Sequence, residues 1–129
     1  MNGVPALAAI AAVAFGGAAG ATVRYGLSVW LHGGSAWPAA TLLANLGGCL
    51  VLGAVLQAGW AGSGDHLLRL MLVVGFCGGF TTMSTFVFEV DALMRNGQAL
   101  LAATYFAVSL IGALLSFYLG AALVRLLAR

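Results

Sequence analysis

The sequence predicts an all-α membrane protein: four transmembrane helices, the third of them broken, in a chain that pairs with an inverted copy of itself as an antiparallel, dual-topology homodimer. Three observations lead there. First, 63% of the 129 residues are hydrophobic and 6% are charged, whereas a soluble domain is about 25% charged; so few charges cannot solvate a globular surface. Second, the chain contains four apolar runs, each long enough for the helix of about 20 residues that crosses a roughly 30 Å hydrocarbon core. Third, the arginines that normally set membrane orientation are almost evenly divided between the two sides. All of residues 1–129 fit one four-helix domain.

The first span covers about residues 4–31 and closes at HGGSAWP. Its opening, MNGVPALAAIAAVAFGG, has no basic n-region and no A-x-A site, so it is expected to remain as a span and not to be cleaved. The second covers about 39–59 and is followed by the loop signals AGSGDH. The third covers about 67–94, ending at RNGQ, and the fourth about 99–127. Trp30, Trp37 and Trp60 fall near span ends, where aromatic rings favour the interface. Cys49 and Cys77 lie within apolar runs, out of easy reach of oxidising enzymes, and are read as small core residues.

Four spans put both termini on one side. Arg24 and Arg95 then belong to the side of the first and third connections, and Arg69, Arg125 and Arg129 to the side of the termini. Two against three gives almost no bias, so both orientations are open and inverted copies can pair about an axis in the membrane plane. The alternative places Arg24 within the span and all termini in the cytoplasm.

Small residues mark where helices touch. Gly16 and Gly20 form a G-x-x-x-G in the first span, and Gly112, Ser116 and Gly120 keep that spacing in the fourth; such positions let backbones approach closely in lipid. Polar residues at bilayer depth are costly and should face protein or water. Thr41, Asn45 and Gly48 share one face of the second span, and Tyr105, Ser109, Gly112, Ala113 and Ser116 share one face of the fourth. A lone Ser or Thr can bond back to its own helix. The Asn45 amide needs several partners.

The stretch GFCGGFTTMSTFVFE, residues 75–89, combines Gly75, Gly78 and Gly79 with Thr81 and Thr82. Poor helix formers at that depth predict a break, and unwound backbone in a membrane is tolerated only where it is buried in protein or lines a cavity. Freed carbonyls can coordinate a cation, while the start of the following half-helix favours an anion. Met83, Phe86 and Glu89 then step by three along one face, where aromatic ring edges, the positive part of the ring quadrupole, could meet that anion.

At these residues the chain resembles the Fluc (CrcB) fluoride channels. GGFTTMSTFVFE is similar to that family's G-G-x-T/S-T-F-S-T-F-x-x-E signature, and GGAAGATVRY, PAATLLANLGG and the Tyr/Ser face of the fourth span follow the same order. The resemblance covers the whole chain and implies passive export of cytoplasmic fluoride across the inner (plasma) membrane, through two narrow pores in an antiparallel homodimer. It further implies a structural sodium ion at the dimer centre, held by the carbonyls of Gly78 and Thr81. Asn45 becomes the pore asparagine, Met83 and Phe86 the pore pair, Tyr105 and Ser109 the polar track with Thr41 on the neighbouring face, and Glu89 lies near one end. Arg24 matches the family arginine at the close of the first span.

Met83 departs from the family pattern, which has phenylalanine there. A thioether keeps bulk and flexibility but has no aromatic quadrupole. Ala113 stands where a third track serine is expected. A small multidrug-type dual-topology transporter is the alternative; it needs a carboxylate within the first span, and the acids here are Asp65, Glu89 and Asp91. An enzyme is not indicated: His32 and His66 flank different loops, with no metal-ligand spacing and no nucleophile elbow.

Overall fold

The computed structural model describes residues 5–31, 37–58 and 63–128, the side chains of 63–65 excepted. The loop HGGSAWP up to Ala36, Trp60 and Arg129 lie outside it. Among the described residues there is no strand. Helix α1 spans Ala6–Trp30, α2 Ala39–Gln57, α3 Ser63–Leu70, a π-helical stretch Met71–Cys77, α4 Gly78–Phe80, α5 Met83–Arg95 and α6 Ala99–Leu127. Grouped by apolar length they give four membrane-spanning runs: Ala6–Trp30, Ala39–Gln57, His66–Arg95 and Ala99–Leu127.

Lengths fit a bilayer unevenly. The 19 residues of α2 rise about 28 Å, close to the hydrocarbon thickness, whereas the 29 of α6 rise about 43 Å and must tilt or emerge. Both α1 and α2 follow a proline, Pro5 and Pro38, which fits a helix start because the missing amide would have no helical partner there.

Glycines set the two closest helix contacts. In α2 and α6 the pair is reciprocal: a Cβ on Gly53 would meet the Phe117 carbonyl, and one on Gly120 the Leu50 carbonyl. Gly16 and Gly20 do the same for α1, against the Met71 and Phe76 carbonyls. Gly112 faces only the flexible end of Leu46, so the close approach in α6 is carried by Gly120. Gly120→Ala is therefore expected to force α2 and α6 apart at a cost of about 1–3 kcal/mol, seen as a lower thermal midpoint in detergent; Gly26→Ala, with open space around it, should leave the midpoint unchanged.

Candidate functional site

The glycines of the third span are not where its backbone leaves helical geometry. Gly75 and Gly79 stay helical and fit against α1, where a Cβ would meet the Val13 and Gly17 carbonyls; their sequence signal reports close packing. The departure comes at Thr81 (φ −80°, ψ 156°) and Thr82 (φ −150°, ψ 118°), both extended. Helix α5 restarts at Met83, with Thr82 as its N-cap: Thr82 Oγ1 accepts from the Thr85 amide at 3.2 Å and donates to Thr85 Oγ1 at 3.0 Å. Such a cap contributes about 1 kcal/mol.

Asn45 fastens this point from α2. Its Nδ2 donates to the Thr82 carbonyl at 3.2 Å and its Oδ1 accepts from the Thr82 amide at 2.7 Å. One turn on, Gly48 leaves room for the Thr81 methyl, which a Cβ would strike. From α1, Arg24 Nε donates to the Gly79 carbonyl at 3.1 Å. In an unbroken helix the Thr82 amide would bond the Gly78 carbonyl, and the Thr85 amide the Thr81 carbonyl. With those amides turned to Asn45 and to Thr82 Oγ1, both carbonyls lose their helical donors.

A second group of polar side chains gathers around Glu89. Thr41 of α2 donates to Glu89 Oε1 and Tyr105 of α6 to Oε2, each at 2.7 Å. Two donors from two other spans thus meet the two carboxyl oxygens of part-buried Glu89. Tyr105 is fully buried and Phe86 is 2% exposed; their ring centroids are 5.1 Å apart, and Trp37 meets Tyr105 edge-on at 5.8 Å. One turn along α6, Ser109 Oγ is buried with no hydrogen-bond partner among the described residues.

The structure thus brings Thr41, Phe86, Glu89, Tyr105 and Ser109 together, and Asn45, Thr81 and Gly79 with Arg24 to the helix interruption. Met83, on the same helix, is 66% exposed, whereas Phe86 is buried. Trp37 packs on Tyr105, whereas Trp30 stays exposed at the end of α1. Thr82 and Thr85 form the cap of α5, and their i, i+3 hydroxyl spacing before an apolar run is the sequence signal for it. Among the described residues no group of three His, Cys, Asp or Glu side chains comes together as a metal cage.

Sequence comparison bears on what this arrangement serves. Residues 11–121 match the profile of the CrcB-like proteins (Camphor Resistance, CrcB). The chain belongs to the CrcB-like family. Among its CrcB-like relatives, the fluoride-specific ion channel FluC of Prosthecochloris aestuarii is 40% identical over 119 residues, 91% of this chain and 93% of that protein. FluC 2 of Bacillus subtilis is 48% identical over 109 residues, covering 84% and 82%, and FluC of Chloroflexus aurantiacus is 41% identical over 119, covering 90% and 94%. With its four apolar spans, this CrcB-like chain is a multi-pass membrane protein.

Proposed function

We propose that the chain is a fluoride-selective channel that exports cytoplasmic fluoride passively across the plasma membrane, its pores formed where two inverted copies meet. Relatives named as fluoride-specific channels support the ion. The observation that carries the path is the buried Ser109 hydroxyl, without a hydrogen-bond partner among the described residues and one turn from Tyr105, whose ring packs on Phe86. A small, strongly hydrated anion can cross only if donors replace its water, and an unused hydroxyl beside aromatic edges provides that at bilayer depth. Asn45 can assist with its second Nδ2 hydrogen, the first being taken by Thr82. Thr41 and Tyr105 hold Glu89 near one end of the track. No turnover chemistry is needed.

Two features favour a second copy. Irregular backbone exposed to lipid does not occur within the hydrocarbon region, so extended Thr81 and Thr82 require protein cover. Exposed Met83 and Gly78 lie on that same uncovered stretch, and a partner would bring Met83 to a pore it cannot reach in its own protomer. The near-even arginine split favours an inverted partner. Labelling of a terminal tag in cells should find it on both sides of the membrane; tags reachable from one side alone would rule the inverted pair out.

The carbonyls of Gly78 and Thr81, released from helical donors, fit a hard cation. Sodium held by them would supply a fixed positive charge that keeps the interrupted backbone of two copies together. The multidrug-type alternative gains no support, because α1 carries no acid. In liposomes, fluoride efflux is expected to be fast with chloride at the leak level; chloride efflux matching that of fluoride would overturn the channel reading.

A further inference from the structure

We infer that the groove between the end of α2 and the start of the third span holds the phosphate of an anionic phospholipid. This groove, of about 210 Å³, is lined by Leu56, His66, Arg69, Leu70, Val73 and Val74. It is remote from Glu89 and the Asn45 contact, and nothing in the channel mechanism uses it. His66, Arg69, Leu70 and Val73 follow the i, i+3, i+4, i+7 rule and share one face; Leu56 of α2 forms the opposite wall. The lining is graded along the membrane normal. His66 and Arg69 stand exposed at the mouth of the span, while Val73 and Val74 lie about 6–12 Å deeper.

That grading matches a phospholipid, with its anion at the interface and its chain beyond. Arg69 is also the arginine suited to a ligand. Arg95 is tied to Asp91 at 2.8 Å and Arg24 to the Gly79 carbonyl; Arg69 and Arg125 have no ion-pair partner among the described residues, and of these two Arg69 lines the groove. A guanidinium offers the planar, two-pronged donor geometry that phosphate oxygens accept. Basic pockets between transmembrane helices at the membrane surface are recognised settings for anionic headgroups. The apolar floor, which includes exposed Leu56 and Val74, excludes a purely ionic ligand as the best match.

Native mass spectrometry of the full-length protein, with phosphatidylglycerol, phosphatidylcholine or inorganic phosphate added in turn, tests this. Phosphatidylglycerol should be retained in preference to phosphatidylcholine, and Arg69→Gln should lower that retention about fivefold, as expected for one arginine near an anionic surface. Val74→Trp, which fills the floor and leaves both basic residues in place, should lower it as well. Asp65→Asn, removing the acid nearest in sequence, should hold the lipid at least as well as the parent. Equal retention of the two lipids, an Arg69→Gln protein that binds like the parent, or full competition by inorganic phosphate would each overturn the proposal. Arg95→Gln, whose arginine already has its acid, should change nothing; a loss equal to that of Arg69→Gln would reduce the effect to overall charge and overturn it too.

Discussion

Asn45→Asp is expected to abolish fluoride flux at equal amounts of reconstituted protein. Asn45 accepts from the Thr82 amide and donates to the Thr82 carbonyl. Aspartate retains the acceptor but sets a second oxygen against that carbonyl, which then loses its donor at a cost of about 1–3 kcal/mol. The new charge stands beside the proposed anion path, where repulsion at about 4 Å is worth roughly 4 kcal/mol even with an effective dielectric constant of about 20. The two effects together place the loss of flux at about a hundredfold or more. Size-exclusion chromatography, run on the same preparations, should show the parental elution position, so that the lost flux is read at equal assembly. An Asn45→Asp protein that conducted at the parental rate would remove Asn45 from the path.

Phe86→Ile should cut flux by about tenfold or more. Isoleucine keeps much of the bulk, so the variant tests the ring and not the volume. Phe86 is 2% exposed, with ring contacts to Tyr105 at 5.1 Å and to Phe106 at 5.7 Å; these two ring pairs, each worth about 0.5–1.5 kcal/mol, disappear along with the ring edge offered to the anion. Met83→Phe is the opposite case. Its side chain is exposed on the chain, so an aromatic ring meets no obstacle within it. Flux from liposomes should therefore be near parental for Met83→Phe and low for Phe86→Ile. The reverse order would mean that the anion passes along a different face of the third span.

The spans were legible because lipid imposes one rule on every residue in them. Ala39 and Ala99 were placed at the starts of α2 and α6, as found, and the Tyr105–Ser109 face turned inward as its period required. Gly75 and Gly79 are legible as a helical weakness but not as to its kind: the same missing side chain serves a bend or a close contact, and α1 decides for contact. What local spacing cannot hold is a partner on another span. Thr41 and Tyr105 were each placed on a polar face, yet their shared hold on Glu89 joins positions 48 and 16 residues apart. Arg24 likewise reads as a span-end charge until the Gly79 carbonyl, 55 residues on, is seen to receive it.

The π-helical stretch Met71–Cys77 makes the third span sensitive to length in a way that its composition does not suggest. A residue more or less in an α-helix turns all that follows by about 100°, and π segments are the usual form in which helices accommodate an inserted residue. Here the stretch is seated on Gly16 of α1 from its first residue, Met71, and leads into the part fastened by Asn45 of α2. It sets the phase between two anchors. Shortening it by a single residue would leave every side chain of the interruption intact and aim Thr82 away from Asn45, so chains of this kind should tolerate exchanges among Met71, Leu72 and Val73 far more readily than any change in their number.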